Sequence, residues 1–355
     1  MRAHLVLEQI ALRRRASEKF TRASQMFFTP LGLEQATGEA VARYKASRFP
    51  DGSPVADLCC GIGGDLLSLC SRGPAVGIDR DPVKTLLAEA NCRTLETRAG
   101  GGATQVMVQT ADISAIPLAD FAAWHLDPDR RATGRRTTRV EAQEPGPEVI
   151  DRLLAEVPHA AIKLAPASHV PDNWSQQAER EWISYAGQCR QQVAWFGELA
   201  VRPGRRAATV IGASRVRTLE GRPGAPPPAI AAIGRYLFEP DAAVLAAGLI
   251  PSLCVELGLS AISTEAAYLT GDHPAHDAAA QCFEVIDVLP FDVKRIKALL
   301  RERGVGRLEV KKRGVPHDPE QIRRQLRVPG DESCTLLLAR VRNAVTAILA
   351  RRLVG

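Results

Sequence analysis

The residues with the clearest chemical potential form a glycine-rich stretch, D-L-C-C-G-I-G-G-D at 57–65, directly after an apolar run. Glycines at the end of a strand let the backbone turn tightly and come close to a ligand. Asp79 ends the next apolar run, 18 positions after Gly61, where a carboxylate can accept hydrogen bonds from both hydroxyls of a ribose. On its own Asp79 fits a solvated helix N-terminus equally well. Together with the loop, it predicts a site for a cofactor that contains adenosine, such as NAD, FAD or S-adenosylmethionine (SAM).

Three details favour SAM over the dinucleotides. The dinucleotide fingerprint has a third glycine where this chain has Leu66. Asp57 and Gly61 form the D-x-x-x-G arrangement that is common in SAM-dependent methyltransferases. Asp112 follows a third apolar run, at the point where such enzymes often bind the adenine amino group. The predicted cofactor-binding residues of this region are Asp57, Gly61, Gly63, Gly64, Asp79 and Asp112.

A second chemical feature is the segment H-L-D-P-D-R-R at 125–131, which follows another apolar run. Methyl transfer is an in-line displacement at the sulfonium carbon, and an acceptor amine develops positive charge during it. The Asp127 carboxylate and the Pro128 carbonyl could hold the N–H groups of an acceptor and stabilise that charge. Proline fixes φ and so directs its carbonyl. Asp127 and Pro128 are therefore the predicted catalytic residues.

Basic residues close to this loop suggest a polyanionic substrate. Arg130 and Arg131 could anchor a backbone phosphate beside the reacting nucleotide. Lys163 ends a later apolar run, and it could hold phosphate or simply pair with Asp127. The predicted substrate-binding residues are Arg130, Arg131, Lys163, Lys311, Lys312 and Arg313. A solvated basic face is the alternative interpretation of the last three.

The charge is unevenly distributed along the chain, whose total is +6. Residues 285–355 contain 16 Lys and Arg against 8 Asp and Glu, a net +8, which leaves −2 for the rest. This asymmetry predicts RNA as a partner, although general arginine enrichment would also produce it. The sequence contains no membrane-spanning apolar run, no signal-type leader and no C-x-x-C pair, so we expect a cytoplasmic protein without metal or membrane attachment. The oligomeric state is left open.

Apolar strand patterns alternate with helical ones from residue 54 to 211, which predicts an α/β, doubly wound, Rossmann-like sheet of seven strands. We expect an N-terminal helical extension at 1–50 and the catalytic domain at 51–220. A Pro/Gly-rich break at 221–228 should begin a linker and connecting helical segment over 221–281. Residues 282–355 read as a small basic α+β domain with the order β-α-β-α-β.

The chain resembles, over nearly its whole length, the bacterial class I SAM-dependent methyltransferases that carry a C-terminal THUMP-like domain. The shared stretches are L-E-Q-A-T at 33–37, the glycine-rich loop, D-P-D-R-R at 127–131, K-L-A-P at 163–166, E-W-I-S at 181–184, W-F-G at 195–197 and K-R-G-V-P at 312–316. The resemblance implies a SAM-binding fold and RNA methylation, since THUMP-type domains bind RNA.

A more distant resemblance connects the chain to the RNA guanine-N2 methyltransferases. Their Asp-Pro loop continues with a second proline and an aromatic residue, whereas this chain has D-P-D-R. The segment M-F-F-T-P at 26–30 looks like their aromatic-T-P segment, which implies that Thr29 helps to close the site over SAM. A turn that simply breaks a helix is the alternative for Thr29.

These observations predict a SAM-dependent methyltransferase that acts on a nitrogen of an RNA nucleotide, in tRNA or rRNA. Two alternatives stay open at this point. The first is a methyltransferase for a small molecule or a protein, whose basic tail serves solubility or assembly. The second is a non-catalytic RNA-binding protein with a SAM-type fold, which the altered D-P-D-R loop would suit.

Overall fold

A computed structural model describes residues 2–95, 106–130, 137–213 and 215–353. The chain divides into two compact units, which are described separately. The first unit comprises Met1–Tyr185 and Cys189–Arg205, and the second comprises Ala186–Gln188 and Arg206–Gly355. In the described part of the chain, no helix is both long and apolar enough to cross a membrane.

The helices of the first unit are α1 (Arg2–Ala16), α2 (Pro30–Gln35), α3 (Glu39–Ala46), α4 (Leu66–Leu69), α5 (Pro82–Cys92), α6 (Pro147–Glu156) and α7 (Asp172–Gln177). Its strands are β1 (Val55–Leu58), β2 (Ala75–Asp79), β3 (Val106–Thr110), β4 (Ala123–Leu126), β5 (Ala160–Leu164), β6 (Glu179–Tyr185) and β7 (Gln188–Phe196). The predicted alternation of strands and helices is therefore confirmed.

The strands of this unit lie in the order β3-β2-β1-β4-β5-β7-β6. The five strands from β3 to β5 pair in parallel, and β7 runs antiparallel to β5. The direction of winding reverses between β1 and β4, and the carboxyl ends of strands at such a point form a ligand-binding crevice. The carboxyl ends of β1, β2 and β5 and the loops after β1, β3 and β4 carry the predicted site residues to that edge.

Local sequence signals explain several helix starts. Asp81 caps α5 by accepting a hydrogen bond from the Val83 amide at 2.8 Å, and Pro82 occupies the first helical position. Pro30 was expected to break a helix, but it begins α2 instead. Its missing N–H costs nothing there, and Thr29 caps the helix through a 2.9 Å bond from the Gly32 amide.

The core of the first unit lies between the sheet and its covering helices. Leu58, Ile78, Trp124 and Ile162 from four different strands form one fully buried cluster with helix residues such as Leu153. A second cluster attaches the N-terminal helices. It consists of Leu12, Ala16, Phe20, Ala23, Met26, Phe28, Leu33 and Ile62. Because Ile62 belongs to the glycine-rich loop, this packing connects the N-terminal segment directly to the predicted cofactor site.

The second unit contains β8 (Arg206–Ile211), β9 (Val216–Gly221), β10 (Tyr236–Pro240), β11 (Ser260–Ala261), β12 (Leu269–Gly271), β13 (Ala280–Pro290), β14 (Val305–Arg313), β15 (Glu332–Val341) and β16 (Ala344–Arg352). Its helices are α8 (Ala242–Ala247), α9 (Ile250–Leu257), α10 (Val293–Glu302) and α11 (Pro319–Gln325). Strands β8 and β9 form an antiparallel hairpin. The other seven lie in one sheet, in the order β11-β12-β10-β13-β16-β15-β14.

Two parts of the second unit differ from their sequence interpretation. The segment 221–281 contains the expected helices α8 and α9, separated by Gly248 in the left-handed region, but it also supplies β10, β11 and β12. The C-terminal region has the predicted β-α-β-α-β order from β13 to β15 and then adds β16 between β13 and β15. Both faces of this sheet are covered, with Leu336 and Leu349 buried on one face and Leu337 and Ile348 on the other.

Candidate active site

A cavity of about 350 Å³ opens at the carboxyl edge of the first unit's sheet. This volume is within the range of small-molecule and cofactor sites. Its lining comes from the carboxyl ends of β1, β2 and β5, the loops after β1, β2, β3 and β4, α2 with the segment that follows it, and the segment before α6. The lining includes Gly32, Gln35, Thr37, Asp57, Cys59, Gly61, Gly64, Asp65, Asp79, Arg80, Asp112, Asp127, Pro128, Asp129, Arg130, Glu144 and Lys163.

The glycine-rich loop is fixed to the end of β2 by Asp79, which is buried. Its Oδ2 accepts a hydrogen bond from the Gly61 amide at 3.0 Å, and its Oδ1 accepts one from the Asp81 amide at 3.0 Å. Gly61 has a φ of +57°, and no atom lies within 4 Å of the place where a Cβ would stand. The loop therefore leaves open space towards the cavity at a backbone conformation that favours glycine.

Asp57, at the end of β1, is a buried carboxylate with one oxygen engaged. Its Oδ1 lies 2.7 Å from His125 Nδ1 on the neighbouring strand β4. Burial raises the pKa of Asp57, and the contact with His125 counteracts this effect. Among the described residues, neither Asp57 Oδ2 nor Thr37 Oγ1 has a hydrogen-bond partner, although both atoms are buried and both residues line the cavity. Buried polar atoms without partners need an explanation, and a ligand with hydrogen-bond donors would supply the missing partners.

His125 also contacts a buried ion pair. Its Nε2 lies 3.0 Å from Lys45 Nζ, and Lys45 Nζ lies 2.7 Å from Asp65 Oδ1. Lys45 comes from α3, and only 1% of it is exposed. Burial by itself would raise the pKa of Asp65, but the Lys45 ammonium lowers it well below the usual range. A continuous polar chain thus runs beneath the cavity from Asp57 through His125 and Lys45 to Asp65.

Asp127 directly follows β4, the strand that pairs with β1 beside the glycine-rich loop. Lys163 Nζ, at the end of β5, donates a hydrogen bond to Asp127 Oδ2 at 2.5 Å and another to the Gln35 carbonyl at 3.2 Å. Pro128 follows Asp127 in the cavity wall. The loop therefore places a fixed carboxylate and Pro128 in the wall of the cavity that the glycine-rich loop and Asp79 also line.

The outer wall of the cavity is formed by the loop after β2 and the segment before α6. Arg80 forms an exposed ion pair with Glu144. The backbones of Asp129 and Glu144 exchange two hydrogen bonds, of 2.8 and 3.0 Å. On the same side, Asp112 Oδ1 accepts a hydrogen bond from the Ser114 amide at 2.8 Å, which lowers the pKa of Asp112.

Comparison with known proteins agrees with this geometry. The chain is 32% identical to an uncharacterized S-adenosylmethionine-dependent methyltransferase of Mycobacterium tuberculosis (strain CDC 1551 / Oshkosh), over 96% of this chain and 93% of the relative. The same values hold for the protein of strain H37Rv. This chain belongs to the S-adenosylmethionine-dependent methyltransferases. Residues 280–352 of this methyltransferase match the THUMP domain-like family, which confirms the expected C-terminal domain.

The methyltransferase also has the fold of a solved structure. A putative methyltransferase from Porphyromonas gingivalis W83 superposes with a TM-score of 0.82 at 20% identity, covering 97% of this chain and 89% of the other. The predicted fold class and the predicted cofactor, SAM, are confirmed by these comparisons.

The cavity residues suit SAM. Asp57 Oδ2 is an unpaired acceptor that would hold the cationic α-amino group, and the open space at Gly61 admits a ligand beside the loop. Asp79 and Asp112, the predicted ribose-binding and adenine-binding residues, line the same cavity. SAM supplies an electrophilic methyl group when bound. The protein has to orient that group and an acceptor, and the Asp127–Pro128 loop lies in the same cavity.

Two predicted site residues of the first unit, Gly63 and Thr29, are described but do not line the cavity. Gly63 has a φ of +87°, which serves the turn of the loop. Thr29 caps α2, while Gly32, three residues later, reaches the lining. Arg131 lies outside the described residues. Arg130 lines the cavity.

Two aromatic residues that could have stacked on a base are in the core instead. Phe28 is fully buried, and Trp195 is buried with its Nε1 donating to Glu181 Oε2 at 2.8 Å. The described lining of the cavity contains no aromatic side chain. An acceptor base would therefore be held by polar and aliphatic contacts.

The predicted basic triplet of the C-terminal domain is partly neutralised. Lys311 Nζ lies 2.7 Å from Glu239 Oε2, and Arg313 lies 3.4 Å from the other oxygen of the same carboxylate. Lys312, between them, is exposed. Arginines instead surround a separate cavity of about 940 Å³ in this unit. They are Arg307, Arg323, Arg324, Arg327, Arg351 and Arg352.

Sequence reasoning missed His125, Lys45 and Asp65 as members of the site. A weak signal existed for His125, a polar residue in the otherwise apolar strand A-W-H-L. Asp65 directly follows the glycine pair of the loop. Lys45 carries no local signal, because in sequence it is one of several basic residues of a helical segment. No group of His, Cys, Asp and Glu in the described part of the chain is arranged to hold a metal ion.

Proposed function

We propose that this methyltransferase transfers the methyl group of SAM to a nitrogen of an RNA nucleotide, in tRNA or rRNA. The observation that carries the proposal is the position of Asp127 and Pro128 in the same cavity as the glycine-rich loop and Asp79. An acceptor nitrogen in this cavity would direct its lone pair towards the methyl group and its N–H groups towards the hydrogen-bond acceptors of the Asp127 loop.

The chemistry that these residues can perform suits an amine acceptor. Bound SAM would supply its methyl group to the lone pair of the acceptor nitrogen and would leave as S-adenosylhomocysteine. The nitrogen would carry a positive charge until it releases a proton to water. The Asp127 carboxylate and the Pro128 carbonyl are acceptors for N–H groups and favour that positive charge. Lys163 holds Asp127 in place at 2.5 Å, so the carboxylate needs little reorganisation during the reaction.

Charge supports RNA as the substrate. Arg130 lines the reaction cavity, where a guanidinium can hold a phosphate. In the second unit, six arginines line the larger cavity. Three of them pair with carboxylates, Arg323 with Glu320, Arg351 with Glu284 and Arg352 with Glu309, whereas Arg324 and Arg327 are exposed. Side chains of this kind bind the phosphate backbone independently of sequence. An RNA substrate would also place the enzyme in the cytoplasm.

The deciding experiment compares modified nucleosides in total RNA from wild-type and deletion cells by mass spectrometry. We expect one N-methylated nucleoside to disappear in the deletion strain and to return with the wild-type gene. A gene carrying Asp127→Asn should not restore it. If the nucleoside profiles are identical while the purified enzyme methylates a protein or a small molecule, RNA is not the substrate.

A further inference from the structure

The polar chain beneath the cavity has a defined direction of hydrogen bonding. A lysine ammonium has three donors and no acceptor, so His125 Nε2 must accept from Lys45 Nζ across their 3.0 Å contact. The proton of the imidazole is then on Nδ1, which donates to Asp57 Oδ1 at 2.7 Å. The neighbours of His125 thus select one neutral tautomer.

This arrangement fixes the orientation of the Asp57 carboxylate. Asp57 and His125 are direct partners in the parallel register of β1 and β4, and 1% of each residue is exposed. With Oδ1 held by the imidazole, Oδ2 is left as a buried acceptor in the cavity wall, without a partner in the described part of the chain. A buried carboxylate oxygen without a partner is costly unless a ligand with a donor or positive charge completes it.

Lys45 is itself held from the other side. Its second contact, with Asp65 Oδ1 at 2.7 Å, balances the positive charge of the buried Lys45 ammonium. Asp65 itself lines the cavity, directly after the glycine-rich loop. The catalytic proposal for Asp127 and Pro128 uses neither Lys45 nor His125. Both are nevertheless fully buried, and a lysine is almost never buried to this extent unless it is paired.

We propose that His125 and Lys45 are positioning residues for the cofactor, which orient Asp57 so that its Oδ2 accepts from the α-ammonium of the methionine end of SAM. They do not touch SAM. Lys45 fixes the imidazole tautomer, the imidazole fixes Asp57, and Asp57 binds the charged amine. The inference concerns cofactor binding alone and does not depend on the identity of the methyl acceptor.

The test compares three ligands by calorimetry. SAM carries the sulfonium and an amino acid end with its α-ammonium and α-carboxylate, S-adenosylhomocysteine keeps this end without the sulfonium, and 5′-methylthioadenosine has neither. We expect His125→Leu and Lys45→Met to weaken SAM and S-adenosylhomocysteine equally, by about tenfold, as loss of a supporting residue does at other charged sites. Binding of 5′-methylthioadenosine should be unchanged. Equal weakening of all three ligands would show a general structural role and would overturn the proposal.

Two further variants sharpen the result. His125→Asn can place an amide N–H close to the position of Nδ1, so it should retain more S-adenosylhomocysteine affinity than His125→Leu. Arg48→Met is the matched control. It removes a half-buried cation, which pairs with Glu179 at 2.9 Å and with Glu181, and none of these three residues lines the cavity. We expect it to lower the unfolding temperature without changing the ratio of the three affinities.

Variants of Lys45 and His125 could fail to fold, because both are buried. The isosteric change Asp57→Asn tests the same acceptor with less risk. It should reduce the affinity for S-adenosylhomocysteine by about tenfold or more and leave that for 5′-methylthioadenosine intact, since a charge-assisted bond is lost only with the former. Unchanged S-adenosylhomocysteine binding in a folded Asp57→Asn protein would overturn the proposal.

Discussion

Lys163 Nζ lies 2.5 Å from Asp127 Oδ2, so the carboxylate proposed to act in methyl transfer is already paired with a buried lysine. The pairing joins the ends of β4 and β5, whose register sets Leu126 beside Ile162. It fixes one oxygen of Asp127 and leaves the other for an acceptor. The cavity therefore holds a positioned carboxylate whose charge is partly balanced, which suits an acceptor that is neutral before the reaction.

The first prediction concerns Asp127. Asp127→Asn keeps the size of the side chain and an oxygen for Lys163, but it removes the charge that stabilises the developing ammonium. We expect kcat to fall by about 10²–10³-fold, as when one preorganised electrostatic partner is lost, with S-adenosylhomocysteine affinity nearly intact. Steady-state kinetics with the RNA substrate measure the change in kcat. Asp129→Asn, on a neighbouring lining residue, is the control and should keep most of kcat. A wild-type kcat for Asp127→Asn would place catalysis elsewhere.

The second prediction concerns Asp79, which accepts a hydrogen bond from the glycine-rich loop and is predicted to bind the ribose. Asp79→Ala removes the carboxylate expected to face the ribose and also the acceptor for the Gly61 amide, 3.0 Å away. Losing charge-assisted hydrogen bonds of roughly 1.5–3 kcal/mol should reduce SAM affinity by about ten- to a hundredfold. Calorimetry measures the affinity. Asp79→Asn retains one acceptor oxygen, so its unfolding temperature should lie between those of the wild type and Asp79→Ala. An unchanged SAM affinity in Asp79→Ala would contradict the ribose assignment.

The third prediction separates the two basic regions of the C-terminal domain. Arg324 and Arg327 are exposed at the larger cavity, whereas Lys311 is paired with Glu239. Replacing both arginines by alanine should weaken RNA binding and reduce the salt dependence by about 0.7–0.9 per lost phosphate contact. Lys311→Ala should change the slope less. Binding titrations at several salt concentrations measure both effects. If Lys311→Ala has the larger effect on the slope, the predicted basic triplet is the main RNA contact.

The fourth prediction concerns acid stability. Burial raises the pKa of Glu39, but hydrogen bonds from Thr21, with the amide at 2.7 Å and the hydroxyl at 2.8 Å, lower it overall. A carboxyl group whose folded pKa is depressed stabilises the fold above its unfolded pKa, and this contribution is lost as pH falls through the folded value. Glu39→Gln should therefore lower the free energy of unfolding by about 1 kcal/mol at pH 7.

The difference between Glu39→Gln and the wild type should shrink as pH falls below about 4.5, near the unfolded pKa of glutamate. Urea unfolding at several pH values measures it. Glu148→Gln, an exposed position in the first turn of α6, serves as the control and should have little effect at any of these pH values. A difference for Glu39→Gln that stays constant down to pH 4 would show that the charge of Glu39 is not involved.

The sequence by itself determined the parts that local chemistry encodes. The glycine-rich loop, Asp79 and the Asp81–Pro82 helix start are readable because each depends on residues a few positions apart. Alternating apolar and helical patterns gave the α/β architecture of the first unit in the same way. The strand β6 was missed, so the expected seventh strand, 207–211, is the eighth strand along the chain. A short strand with several polar residues, such as β6, does not show a continuous apolar run.

Only the tertiary structure decided which distant side chains meet. His125 contacts Asp57 from 68 positions away and Lys45 from 80, and Arg313 meets Glu239 across 74. The first two contacts depend on the pairing of β1 with β4 and on the packing of α3, and the third on the fold of the second unit. No local pattern specifies these relationships. These contacts form when the whole chain folds, because burial and charge pairing then lower the free energy. The positioning network and the partly neutralised basic triplet are therefore visible only in the tertiary structure.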